Sequence, residues 1–242
     1  MPPRAVTFDV NYTLLVDPDR HGGTRARLRR VHAWLHELGH EVGADRLQEA
    51  YDAAERARMD AWRDRRHLAT ERAVESMLAF LGVGGGPHER AALALDLERP
   101  EPGWRLDAVP GARPALERLR AAGCRLGVVS NLGYVPGRLI REQLARTGLA
   151  ELFEPPAMIF SDEDGRCKPH PEVFLLALRR LGADPGDAVH VGDSRLADVA
   201  GARAAGMRTV RYAGCRDDGD GPEADRVVHR YRDLGAALGL DG

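Results

Sequence analysis

Four short stretches hold the residues whose types and spacing could do chemistry. They are FDVNYTLL around Asp9, VVSN ending in Ser130 and Asn131, CKPHPEVF around Lys168, and VHVGDSRLAD with Asp193, Ser194 and Asp198. Carboxylates bind hard cations through oxygen and can act as nucleophiles. Lys168 is the only lysine; the other 34 of the 35 basic residues are arginine. A chain that uses arginine for every other cation asks at position 168 for something else. Lysine offers a compact point charge with three rotatable donors, whereas a guanidinium imposes a planar fork. Singly, each stretch has a plainer reading: Ser-Asn at a strand end is a cap or turn, and Asp193-Ser194 is a helix N-cap. Together they are hard to explain as turns.

The elements that would position them follow from the hydrophobic pattern. Apolar, Val/Ile-rich runs recur at 5–10, 125–130, 157–161, 188–192 and 208–212, most without polar alternation, as buried parallel strands read. Helical patterns separate them at 112–122, 136–147, 171–181 and 195–205, stopping before Gly123, Gly148, Gly182 and Gly206. Strand–helix alternation from Pro110 onwards predicts a doubly wound (Rossmann-like) α/β sheet. In such a sheet ligands bind beyond the carboxyl ends of the strands, where Asp9, Ser130 and Asp193 fall.

Between the first and second strands, roughly from Pro18 to Ala108, no strand is predicted. Helices are marked by Leu28, Val31, Leu35 and Leu38 (Thr24 as the cap, Gly39 as the stop), by Leu47, Tyr51, Ala54 and Trp62, by Val74, Met77, Leu78 and Leu81, and by 91–97. The expected organisation is an α/β core, 1–17 and 109–242, with an all-helical insertion at 18–108. The run ERARMDAWRDRR reads as a solvated face laced with i,i+4 ion pairs. Trp34, Met59 and Trp62 read as packing. GVGGGP (82–87) lacks the Gly-Lys-Ser/Thr of a phosphate loop and reads as an interhelical loop.

The 242 residues are 43% hydrophobic and 30% charged with net charge −2, so nothing global recruits nucleic acid or an anionic membrane. Three scattered cysteines without a CxxC argue against disulfides or zinc and for a reducing compartment. MPPRAVTFDV enters a strand-like run at once, without the h-region of a signal peptide, and no apolar segment reaches membrane-spanning length. The expectation is a cytoplasmic protein with a small-molecule ligand; monomer and homodimer are equally compatible with the sequence.

In order and spacing the four stretches resemble the motifs of the haloacid dehalogenase-like superfamily, with 18–108 in the place of its helical cap. The resemblance implies a core of known roles. Asp9 would be a nucleophile forming a covalent aspartyl intermediate. Ser130, Asn131 and Lys168 would bind the transferring group. The Asp9 carboxylate, the Asn11 carbonyl and Asp193 would hold Mg²⁺, supported from outside by Asp198 and Thr13.

One position departs from the pattern. Phosphatases of the superfamily usually carry a second aspartate two residues after the nucleophile, and here that position is Asn11. An amide neither gives nor takes a proton at neutral pH, and positioned acid/base catalysis is worth about 10²–10⁴-fold. Three readings stay open: a Mg²⁺-dependent phosphohydrolase suited to good leaving groups or using another donor (Asp17 or a cap histidine), a metal-free 2-haloacid dehalogenase, and a catalytically weak protein that binds a phosphorylated ligand or a partner. Retention of Asp193 and Asp198 favours the first. Arg25, Arg29, His32 and His36 are candidate cap contacts to substrate.

Overall fold

The computed structural model describes residues 2–19, 22–217, 219 and 221–240. The expected parallel strands form: β1 (Ala5–Phe8), β4 (Arg125–Ser130), β5 (Met158–Phe160), β6 (Ala188–Gly192) and β7 (Arg208–Tyr212). A further strand, β8 (Arg226–Val228), extends the edge to give the order β5-β4-β1-β6-β7-β8, with every neighbouring pair parallel. Its three residues carry too little pattern to stand out in sequence.

The pleat divides the sheet's side chains between two apolar layers. Val6, Phe8, Leu126, Val128, Val189 and Val191 face helices α5 (Ala112–Ala121), α6 (Gly137–Arg146) and α10 (Leu234–Ala237). Ala5, Val129, Ile159 and Ala188 face α8 (Pro171–Leu181) and α9 (Gly201–Ala204) through Val173, Phe174, Ala177 and Ala202. Strands covered on both faces need no polar alternation, which explains their continuous apolar runs. The predicted helix at 195–205 splits into a π-helical turn, Arg195–Ala200, followed by α9.

After β1 the chain enters a short ribbon and four helices. These are α1 (Gly22–Glu37), α2 (Ala44–Arg63), α3 (Thr70–Leu81) and α4 (Pro87–Glu98), gathered around Val31, Leu35, Leu47, Tyr51, Met77 and Leu97. Four expectations need correction. The segment is not strandless: β2 (Leu15–Val16) pairs antiparallel with β3 (Asp107–Ala108), tying the exit and return of the insertion together. Two-residue strands have no periodicity to read. Thr24 is not the cap of α1, because the helix already runs from Gly22, where the Gly22 N–H closes a turn on the Asp19 carbonyl. The ion pairs in Glu55–Arg66 are spaced i,i+3, Glu55–Arg58 and Asp60–Arg63, or i,i+2, Asp64–Arg66, and Arg58 turns inward to 3% exposure. Met59 faces outward instead, 45% exposed and not packed.

Among the described residues no helix is long and apolar enough to cross a membrane. Met77 is fully buried at the centre of the helical layer. Met77→Ala should lower unfolding free energy by about 2–5 kcal/mol, the usual range for a buried truncation, measured by urea denaturation.

Candidate active site

The sheet order alone brings most of the site together. β1 lies between β4 and β6, so the residues just beyond Phe8, Val129 and Gly192 emerge side by side at one edge. Ser130 Oγ donates a hydrogen bond to Asp9 Oδ1 at 3.0 Å. Lys168 Nζ donates to the same oxygen at 2.6 Å and to Asp198 Oδ1 at 2.6 Å. Asp9, Ser130, Lys168, Asp193 and Asp198 are all buried.

Lys168 arrives from the loop between β5 and α8, and Asn131 fixes that loop. The Asn131 side chain donates through Nδ2 to the Lys168 carbonyl at 2.9 Å and accepts the Lys168 N–H at 2.7 Å. The amide expected to contact substrate thus commits one donor and one acceptor to the backbone of Lys168. The Lys168–Pro169 bond is cis. Gly201 matters here for lack of a side chain: a Cβ would stand 2.9 Å from Pro169 Cα and 2.7 Å from the Phe174 ring. Helix α9 can therefore lie directly against the lysine loop.

Asp198 is satisfied on both oxygens. The Ser194 N–H donates to Oδ2 at 2.9 Å, and His190 Nε2 lies 3.0 Å from Oδ1. His190 Nδ1 lies 2.8 Å from Thr7 Oγ1. Since Asp198 can only accept, His190 donates through Nε2 and accepts the Thr7 hydroxyl on Nδ1. His190 was not anticipated, although a single imidazole within the buried strand AVHVG is a visible anomaly. Gly192 leaves room for this cluster, because a Cβ there would fall 2.2 Å from Asp198 Cγ.

Burial and charge oppose each other throughout. Burial works to lower the ammonium of Lys168, but the charges of Asp198 and Asp9 overcome it and raise it. For Asp198 burial pushes upward, and Lys168 with the His190 hydrogen bond pulls the carboxyl well below its usual range. Burial raises Asp9, partly offset by Lys168. Burial, then the charges of Asp9 and Asp198, push Asp193 up to about 7 despite the opposing Arg216. His190 is lowered by burial, which keeps the imidazole neutral.

Oxygen atoms of Asp9, Asp193 and Asp198 lie within 4.8 Å of one another. Three buried carboxylates face two cations, Lys168 and Arg216, the latter paired to Asp193 through Nε. The surplus negative charge, an all-oxygen donor set and the upward push on Asp193 fit a hard dication. Three acceptor sites of Asp198 already serve Lys168, His190 and Ser194, with Lys168 and His190 both on Oδ1. The loop after Asp9 is tight: the Thr13, Leu14 and Leu15 N–H groups all turn back to the Val10 carbonyl, and Tyr12 adopts φ 59°. Arg216 stacks over the Tyr12 ring at 4.9 Å. Neither its role nor its nearness to Asp193 was legible among 34 arginines. The Thr13 hydroxyl is buried without a partner among the described residues, and its carbonyl accepts from the Tyr231 hydroxyl at 2.7 Å.

The other candidates divide. Asp17 accepts the Asp19 N–H at 2.8 Å, Arg25 pairs with Asp19 and Arg29 with Glu101, and His32 and His36 are exposed. Trp34 packs on the helical core and Trp62 is half-buried. Burial pushes the thiol of Cys167 up to about 12. The end of α2 forms a short seam with the lysine loop. There the His67 N–H donates to the Gly165 carbonyl at 3.0 Å, and the Cys167 N–H to the Arg65 carbonyl at 3.4 Å.

A doubly wound sheet with an aspartate at the end of its first strand, and a lysine and further aspartates converging on it, defines a hydrolase built on a Rossmann-like core. The family model for haloacid dehalogenase-like hydrolases matches residues 3–206, and the chain belongs to that family. It is 31% identical over 235 residues to a ribulose-1,5-bisphosphate 5-phosphatase of Halopiger xanaduensis, covering 93% of this chain and 90% of the relative. It is 30% identical over 238 residues to a glyceraldehyde 3-phosphate phosphatase of Methanopyrus kandleri, covering 96% and 95%. The crystal structure of a phosphatase of this family from Thermococcus onnurineus superposes with TM-score 0.66 at 27% identity, covering 98% of both chains.

Two outcomes test the site. Lys168→Arg should reduce hydrolytic turnover by about 10²-fold or more, because the fork cannot place one charge 2.6 Å from both carboxylates. Its unfolding midpoint should move far less. Iodoacetamide at pH 8 should leave Cys167 unmodified in the folded protein while labelling it in urea, as mass spectrometry of the tryptic peptides would show.

Proposed function

We propose that the protein is a Mg²⁺-dependent phosphohydrolase of a small phosphorylated metabolite, working through a covalent aspartyl-phosphate on Asp9. The observation that carries this reading is the retention of Asp193 in the buried carboxylate group beside Asp9. A dehalogenase needs only the nucleophile and a cation, whereas a phosphoryl group brings negative charge that a dication must offset. The full-length similarity to enzymes named as phosphatases supports the same choice.

Asp9, the Asn11 carbonyl and Asp193 would hold the ion, which supplies charge stabilisation to the transferring phosphoryl group. Asp9 then attacks phosphorus, the ester or anhydride P–O bond breaks, and the leaving group departs with the electron pair. Ser130 and Lys168, both already bonded to Asp9 Oδ1, would contact phosphoryl oxygens while keeping the nucleophilic carboxylate oriented. Asp198 and His190 would keep Lys168 charged and in place. Water attacking phosphorus releases phosphate and restores Asp9. Helices α1–α4, on residues 18–108, would act as a cap that limits water at the site.

Asn11 defines the chemistry's limits. Without a carboxyl at that position nothing there protonates the departing oxygen, which favours phenolic and acyl phosphates over alkyl ones.

The test is phosphate release from p-nitrophenyl phosphate and acetyl phosphate, with Mg²⁺ or EDTA, for wild type, Asp9→Asn and Asn11→Asp. Release only with Mg²⁺, abolished by Asp9→Asn and extended to alkyl phosphates by Asn11→Asp, is expected. Metal-independent halide release from 2-chloropropionate, with no phosphate released under any condition, would replace this reading with the dehalogenase.

A further inference from the structure

Helix α2 carries a buried cation that the catalytic group does not use. The Arg58 side chain is 4% exposed, and one of its terminal nitrogens, Nη1, lies 3.0 Å from Glu55. Its Nε and Nη2 are buried and have no acceptor among the described residues. Three neighbouring atoms are also buried without a hydrogen-bond partner among the described residues: Glu55 Oε1, Trp62 Nε1, one turn further along α2, and the hydroxyl of Tyr134. The guanidinium sits 4.0 Å from the centre of the Tyr134 ring, and the guanidinium of Arg27 lies 4.5 Å from the same centre. Buried donors left unpaired are costly, each on the order of 1–3 kcal/mol and more for a charged group. A cluster of them with two cations and one carboxylate is therefore matched to an acceptor that carries negative charge.

The position ties this cluster to the catalytic edge. Tyr134 lies three residues beyond Asn131, whose side chain holds Lys168. Ser161 Oγ accepts the Leu132 N–H at 2.9 Å and so fixes the intervening loop. At Gly133 a Cβ would come within 2.8 Å of Arg58 Nη1, so the absence of a side chain there admits the guanidinium. From the cap side, α2 is anchored by the seam between Arg65–His67 and Gly165–Cys167.

We propose that Arg58, with Trp62 and Tyr134, forms a subsite for a second oxyanion of the substrate, a carboxylate or phosphate at the end away from the transferred phosphoryl group. The proposal rests on the phosphohydrolase reading and narrows its substrate class to doubly anionic phosphate esters. Arg58 is then a specificity residue, binding the substrate's far end while Asp9 and Lys168 act on the near one.

Three aryl esters suited to Asn11 test it: phenyl phosphate, 4-carboxyphenyl phosphate and 1,4-phenylene bisphosphate. In Arg58→Gln, kcat/KM for at least one of the two anionic esters should fall about tenfold or more beyond any fall for phenyl phosphate. The ester affected identifies carboxylate or phosphate as the group bound. Gly133→Ala, which keeps the charge but crowds Nη1, should shift the preference in the same direction, and Arg58→Lys should restore part of it. Equal falls for all three esters in Arg58→Gln would overturn the subsite and leave Arg58 a packing residue. Where Arg58→Gln does not fold, Gly133→Ala decides between the same two outcomes. If wild type releases phosphate from none of the esters, the phosphohydrolase reading fails, and calorimetry decides the subsite separately. Asp9→Asn should bind 4-carboxyphenyl phosphate or the bisphosphate more tightly than phenyl phosphate, and Gly133→Ala in that background should remove the difference. An unchanged difference would overturn it.

Discussion

One buried ammonium organises the catalytic edge. Lys168 Nζ stands 2.6 Å from both Asp9 and Asp198 in surroundings where an unpaired charge would be untenable. Each carboxylate is tolerable inside the protein because the ammonium is there, and the ammonium because they are. The dependence spreads outward: Asn131 fixes the lysine peptide, His190 and Ser194 fix Asp198, and Gly201 lets α9 close against Pro169. A guanidinium would need more donors satisfied and more room. The solitary lysine in an arginine-rich chain is thus a geometric requirement of this cluster.

The same electrostatics bear on the metal and on Asn11. Burial first, and then the charges of Asp9 and Asp198, push Asp193 to about 7, and a further carboxylate at position 11 would add to that surplus negative charge. An amide removes that repulsion along with the proton donor. On the proposed phosphohydrolase reading, the trade would shift selectivity toward leaving groups that depart unaided.

Much of this was legible in the chain because buried parallel strands write their apolar runs openly, and because Asp9, Ser130, Lys168 and Asp193 sit at strand ends or the loops that follow them. What the chain concealed has physical causes. β2, β3 and β8 are too short to show a period. Arg216 and Arg58 are unremarkable by residue type and differ from most other arginines only in where the fold takes them: one onto Asp193, the other into the interior of the helical insertion. The place of Asn131 in its motif does not reveal that both ends of its amide meet the backbone of Lys168. His190 could have been noticed as a lone polar side chain within a strand otherwise free of them.

The seam between Arg65–His67 and Gly165–Cys167 makes the cap and the lysine loop a single mechanical unit at that point. Helices α1–α4 cannot swing clear of the sheet there without either breaking those hydrogen bonds or dragging on the segment that carries Lys168. Any displacement of the helices at that seam would be felt by the residue whose ammonium stands 2.6 Å from Asp9.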